Sequence, residues 1–214
     1  MKKTIALLST VSVLTLSSTA SFAAPAWTIE PENSHLTFET SQSGRPITGE
    51  FKKFTPTIEF SKEDLATSHI KVDVETGSAL TGDKANDASL PTKDWFNIAV
   101  FPTATFESNS IISKTTDKDG FERYEATRKL TILGVSRTVI LPFTLKVDGQ
   151  NTHATGSLVV KRLDYGLGAL IDPNGAMVSN DVTIKFNVTA HMVVTPAPKA
   201  NKTTPSTTET PTTK

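Results

Sequence analysis

The feature that most constrains this chain is strict period-two alternation held over whole segments. From Val139 to Val147 the apolar positions are Val139, Leu141, Phe143, Leu145 and Val147, with mostly polar residues between them. From Val182 to Met192 they are Val182, Ile184, Phe186, Val188, Ala190 and Met192. Successive side chains point to opposite faces of a strand, so such runs make half-buried strands and not amphipathic helices. Shorter runs repeat the signal at Leu36 and Phe38, at Ile70, Val72 and Val74, at Ala104 and Phe106, and at Leu130 and Ile132. β-Branched residues and Thr are abundant throughout, as strands prefer.

Turn chemistry falls between these runs. Asp117-Lys118-Asp119-Gly120 separates two of them, Asp148-Gly149-Gln150-Asn151 separates the Val139 run from one ending near Arg162, and Asp172-Pro173-Asn174-Gly175 precedes the last. Short polar turns between strands imply an antiparallel meander. With about eight such strands, closure into a barrel is the economical way to remove exposed edges. The expected fold is therefore all-β, an antiparallel barrel with one or two short helices. One is expected to start at Ser61, as N-cap of Ser61-Lys62-Glu63-Asp64-Leu65, and another to cover Asn86 to Leu90 ahead of Pro91. The stretch from Asp94 to Pro102 breaks the alternation and gathers Trp95, Phe96 and Phe101. Pro91 and Pro102 bracket it, which argues against a regular strand and for a lid or mouth at one barrel end.

Neither end of the chain reads as barrel. Lys2 and Lys3 precede an apolar run from Ile5 to Leu16, and Ser21-Phe22-Ala23 is a small-x-small cleavage site, so an export signal cut before Ala24 is expected. From Thr195 onward Pro recurs among Thr with no large apolar residue, a composition that does not repay its ordering entropy. The expected organisation is a signal peptide over 1–23, one barrel domain over 24–194 and a Thr/Pro-rich tail over 195–214, in a periplasmic protein.

Composition and motifs exclude several functions. The chain has 22 Lys+Arg against 22 Asp+Glu. That balance argues against a nucleic-acid partner, whose binding needs clustered cations. The absence of Cys removes thiol nucleophiles, disulfides and Cys-based metal sites. His35, His69, His153 and His191 form no metal-ligand spacing, and there is no nucleophile elbow, Walker loop or dinucleotide-binding glycine pattern. Gly166-Leu167-Gly168 reads as a bend, and Asp83 with Asp87 as a solvated pair on one short helix. Neither enzymatic activity nor a cofactor is expected. What remains is a barrel lined with Phe, Leu, Ile and Val. Small barrels either fill their interior or keep it open for one ligand, and periodicity allows both.

Five segments carry a family resemblance: Trp27 to Phe38, Gly49 to Phe54, Ser78 to Phe106, Leu130 to Arg137 (LTILGVSR) and Arg162 to Gly166 (RLDYG). In the third, the match runs through Ser78, Thr81, Asp87, Leu90, Asp94, Phe96, Pro102 and Phe106. In this order and with these gaps the chain resembles the YceI-like family of exported lipid-binding proteins. The resemblance implies a lipocalin-like barrel whose long apolar cavity takes a polyisoprenoid or other long-chain amphiphile, such as a fatty lipid. Residues expected to bind the ligand there are Phe38, Phe51, Phe54, Trp95, Phe96, Phe106, Leu130, Ile132, Phe143 and Leu145. The Gly44–Gly49 segment looks most like the branch found beside diheme membrane cytochromes, which implies such a cytochrome as a partner. Where the family usually has an Arg and two His, this chain has Asn86, Asn33 and Leu133, implying a less polar cavity mouth. Leu130 and Ile132 are expected to pair as a hairpin with the strand of Phe143 and Leu145, the two pairs facing each other as one apolar wall.

Overall fold

The computed structural model describes residues 23–193 apart from 117 and 119. The expected tail, and all but the last residue of the expected signal peptide, lie outside the described residues, as does part of the Asp117–Gly120 turn.

Among the described residues eleven strands follow one another: β1 (Ala26–Ile29), β2 (His35–Gln42), β3 (Arg45–Phe51), β4 (Phe54–Glu59), β5 (His69–Glu75), β6 (Ala79–Leu80), β7 (Thr103–Thr116), β8 (Glu122–Ile132), β9 (Val135–Asp148), β10 (Asn151–Lys161) and β11 (Asp181–Met192). One α-helix, α1 (Lys84–Ser89), lies between β6 and β7. The pairings are antiparallel and run β1-β4-β5-β7-β8-β9-β10-β11, and β11 returns to pair with β1. That ring is a closed eight-stranded barrel, which leaves no free edge around it. β2 continues β1 along β11 and carries β3, which in turn carries β6. β1 with β2, β3 with β4 and β5 with β6 are therefore three barrel strands, each interrupted once. The break after β1 is a 3-10 turn at Pro31–Asn33, where Pro31 has no N–H to give a ladder.

The turns follow their sequences. Leu133 and Gly134 join β8 to β9 with φ of 51° and 74°, the paired positive values of a tight hairpin turn. Gly149 and Gln150 join β9 to β10. Two local expectations shift. Ser61 does not cap a helix. Its hydroxyl accepts from Asp64 N–H at 3.1 Å, and Asp64 in turn caps a 3-10 turn over Leu65–Thr67 by accepting from Ala66 N–H at 3.2 Å. The second helix starts two residues earlier than expected, because Asp83 accepts from the N–H groups of Ala85 and Asn86 at 2.9 and 3.0 Å.

The β8–β9 hairpin forms as expected, but its register corrects the proposed wall. Phe143 faces Tyr124 and Leu145 faces Glu122, while Leu130 faces Arg137 and Ile132 faces Val135. A two-residue turn ties Ile132 to Val135, so Leu130 and Ile132 lie at one end of the hairpin and Phe143 and Leu145 toward the other. The alternation fixes which face each residue occupies, and only the position of the turn fixes its height. Near Leu145, Phe60 stands edge-on to Tyr124 (5.3 Å, 88°), and Tyr124 stacks on Phe143 (5.4 Å, 21°). The opposite end of the barrel is covered by α1 with the rest of the 81–102 connection and by the 162–180 connection.

Candidate functional site

The inner face of the barrel encloses a cavity of about 690 Å³ that runs from Ile171 and Met177 at the α1 end to Val147 and Met192 at the other. Alternation builds its wall. Every apolar position of the Val182–Met192 run lines the cavity, as do Leu141, Phe143, Leu145 and Val147 of β9 and Ile70, Val72 and Val74 of β5. Phe38, Phe51, Phe54, Trp95, Phe96, Phe106, Leu130, Ile132, Phe143 and Leu145 line this cavity.

Two glycines on the wall let aromatic rings lie flat. A Cβ at Gly49 would come within 2.2 Å of the Phe38 ring, and one at Gly156 within 2.4 Å of the Phe186 ring. Both rings therefore occupy space that a side chain on the neighbouring strand would fill. Phe51 then bridges Phe38 (5.3 Å, 53°) to Phe96 (5.9 Å, 70°). Phe96 belongs to the 81–102 connection, so this contact pins that connection over the barrel end. Such tilted and edge-on ring contacts are the favoured geometries of aromatic pairs.

Trp95, beside it, lies 5.6 Å from the Arg162 guanidinium. Arg162 is 1% exposed and was not recognised as buried from sequence. Its Nη2 lies 2.6 Å from an Asp172 carboxylate oxygen, and Asp172 is 4% exposed. Each guanidinium nitrogen also donates to a backbone carbonyl: Nε to Ser179 at 3.1 Å, Nη1 to Leu167 at 2.8 Å and Nη2 to Val178 at 2.8 Å. Asp172 accepts from the N–H groups of Ala176, Met177 and Val178. These bonds, Val178 N–H first, hold its carboxyl below the ordinary value. The pair thus ties down both ends of the 162–180 connection. Gly168 makes room for it: φ there is +72°, and a Cβ would come within 2.9 Å of both Arg162 Nη1 and the Trp95 ring. The signal was present in RLDYG and in the Asp172 turn, but the partners stand ten positions apart in sequence, so no local pattern couples them.

Asp83 and Asp87 do not act as a pair. Asp83 caps α1, whereas Asp87 accepts from Thr81 N–H at 2.6 Å and Thr81 hydroxyl at 2.7 Å. The Thr81 N–H is the main cause of a carboxyl held below its ordinary value. His35 pairs with Glu50 at 3.0 Å at an exposed position. Among the described residues no three His, Asp or Glu side chains gather into a group that could hold a metal.

The site is thus an apolar lumen in a small closed barrel, with one self-neutralised ion pair at one end. That architecture is the class of protein the fold defines: a small closed barrel around an apolar cavity. The sequence profile of the YceI-like domain matches residues 27–190, and the chain belongs to the YceI-like domain family. It is 27% identical over 194 residues to the UPF0312 protein of Azotobacter vinelandii, covering 86% of this chain and 97% of that protein. The structure resembles BcnA of Burkholderia cenocepacia, with a TM-score of 0.68 at 29% identity over 76% of this chain and 99% of that one. A polyisoprenoid binding domain from Saccharophagus degradans, implicated in plant cell wall breakdown, shares the fold at 14% identity, with a TM-score of 0.61 over 79% of this chain and 99% of that one.

Proposed function

We propose that this protein is an exported carrier or scavenger that holds a polyisoprenoid or other long-chain amphiphilic lipid in the barrel cavity. The observation that carries the reading is the continuous apolar lumen of about 690 Å³. That size falls within the roughly 300–1,000 Å³ of small-molecule sites. The rival reading, a filled-core barrel acting only through its surface, needs no such space. Each buried CH₂ contributes about 0.8 kcal/mol, whereas association costs roughly 4–15 kcal/mol. A ligand held by apolar contact must therefore carry a long chain, and a lumen spanning the barrel suits one. That a domain of the same fold is described as polyisoprenoid binding agrees with this.

The chemistry asked of the protein is solvation and not reaction: a long-chain lipid cannot cross an aqueous compartment alone. The expected signal peptide places the work in the periplasm, with a mature chain starting at Ala24. The membrane cytochrome implied by the Gly44–Gly49 resemblance would serve such a carrier as a delivery partner. Native mass spectrometry of the protein released from the periplasm tests the reading and gives the N-terminus at once. A co-purifying long-chain adduct is expected. Protein that carries none and takes up none from lipid vesicles would overturn it.

A further inference from the structure

The two ends of the lumen differ in what they show to solvent. Between Asp164 and Asp181 the chain has one charged side chain, Asp172, and that one is buried against Arg162. Three apolar side chains of the same connection face outward: Leu170 is 73% exposed, Ile171 46% and Met177 50%. Leu170 is the most exposed large apolar side chain among the described residues. Ile171 and Met177 also line the cavity, so this apolar surface continues the lumen outward. The loop that presents it is held in shape. Leu170 and Ile171 stand on a turn closed by Asp172 N–H, which donates to the Gly168 carbonyl at 3.0 Å. The Asp172 carboxylate takes Met177 N–H, and Arg162 clamps the Leu167 and Val178 carbonyls on either side.

Charge decides what covers this patch. At the other end of the lumen the lining includes Lys62 and Glu63, both exposed, and Lys62 lies 3.6 Å from Glu122. Val147 is exposed there too, but between Lys146 and Asp148. Pressing that rim into hydrocarbon would strip charged groups of water, which is strongly disfavoured. The Leu170 end carries no such cost. Its exposed charges Asp83, Lys84 and Lys93 lie on the neighbouring 81–102 connection and leave the patch itself uncharged. One cation stands close by. Ser43 N–H donates to the Met177 carbonyl at 2.7 Å, and Gln42 bridges Val178 on one side and pairs with Arg45 on the other. Arg45 is exposed and holds no carboxylate among the described residues. An uncharged apolar tip with a free guanidinium one strand away complements hydrocarbon topped by phosphate, since long cationic side chains reach from apolar surface to headgroups.

Building on the carrier reading, we propose that the Leu170 end of the barrel is its mouth and docks on a phospholipid bilayer. Leu170, Ile171 and Met177 enter the apolar region, Arg45 meets the phosphates, and the Arg162–Asp172 pair holds the loop that carries the contact. Seated in this way, the lumen opens onto the bilayer, and a long-chain lipid passes between the two without crossing water.

The chain has no Cys, so one engineered Cys takes a polarity-sensitive fluorophore at a single place. The mature protein is labelled at Leu170→Cys or, in the β9–β10 turn at the other end, at Gln150→Cys. Vesicles of phosphatidylcholine are added, with and without phosphatidylglycerol. The label at position 170 is expected to shift to the blue with both vesicles, and the label at position 150 to stay unchanged. Unlabelled Leu170→Ser alters a solvent-facing position, so it is expected to keep the unfolding midpoint of wild type and its binding of geranylgeraniol in solution. In vesicle flotation it is expected to bind about tenfold more weakly than wild type, the worth of one buried leucine. No shift at position 170, an equal shift at both positions, or a shift only with phosphatidylglycerol overturns the docking, as does flotation that Leu170→Ser leaves unchanged. Sedimentation in which Leu170→Ser turns a dimer into a monomer assigns the patch to a second copy and also overturns it. Wild type that binds geranylgeraniol in solution but does not dock loses this proposal and keeps the carrier reading. Wild type that docks but takes up no geranylgeraniol, from solution or from loaded vesicles, overturns the carrier reading and leaves the bilayer contact standing.

Discussion

Replacing Phe143 with Asp probes the inward face of β9 most sharply. Phe143 is 6% exposed, stacks on Tyr124, meets Phe60 edge-on at 6.5 Å and lines the cavity. Removing the ring alone, in Phe143→Ala, is expected to cost about 3–5 kcal/mol. Phe143→Asp adds a second carboxylate close to that of Glu122, which accepts from the Tyr124 hydroxyl at 2.6 Å and already has Lys62 at 3.6 Å as its own cation. A buried unpaired charge costs several kcal/mol more or is neutralised by taking up a proton. The total approaches the roughly 5–15 kcal/mol by which domains are stable, so part of the population is expected to be unfolded at pH 7. Burial raises the folded-state pKa of the new Asp above its unfolded value of about 3.9. The folded variant then binds more protons than the unfolded one, so its stability falls as pH rises from that value through the raised one. Urea denaturation across pH 4–8 measures this. The gap between Phe143→Asp and Phe143→Ala is expected to close toward pH 4 and widen toward neutrality, with lipid binding lost. If Phe143→Asp stays within about 0.5 kcal/mol of wild type at pH 7, as solvated substitutions do, and still binds lipid, then Phe143 faces water and the assignment of every β9 residue inverts.

Asp172 has the opposite sign. Its carboxyl is held below the ordinary range, so the stabilisation is present above about pH 3.9 and is lost as pH falls through the lower folded value. Asp172→Asn is expected to be less stable at neutral pH and to unfold less steeply with acid, followed by circular dichroism. Gly168→Ala forces a side chain into positive φ against Arg162 and Trp95. It is expected to cost about 1–3 kcal/mol in thermal or urea unfolding, and an unchanged midpoint would refute the close approach. Trp95 lines the cavity beside Arg162, so its fluorescence is expected to shift when a long-chain lipid binds. Binding demonstrated by another method with no change in Trp95 emission, read in a Trp27→Phe background, would remove Trp95 from the ligand's path.

Much of the site was legible because alternation is a local property. Knowing that Ile184 faces inward places Val182, Phe186, Val188 and Ala190 with it, since a strand's faces alternate strictly. The aromatic break between Pro91 and Pro102 was legible as a barrel-end element from its loss of alternation, again a local signal; proline alone does not mark such a break, since Pro46, Pro56 and Pro142 lie within strands. The height of Leu130 and Ile132 relative to Phe143 was not legible in the same way. It depends on a turn of only two residues, and a longer turn would have moved the pairing without altering the pattern.

By itself the sequence determined an all-β chain, the inward face of each long strand and the absence of familiar catalytic motifs. Hydrophobic period and turn residues act over a few positions, and those are enough for such conclusions. Only the tertiary structure decided that the interior is open and not filled. That outcome rests on rings lying over Gly49 and Gly156, each supplied by a different strand from the glycine it covers. Only the tertiary structure paired Arg162 with Asp172. Burial and hydrogen-bond partnership depend on which distant segments the closed ring brings together, and an arginine at the end of a strand looks the same in sequence whether the fold buries it against a carboxylate or leaves it in water.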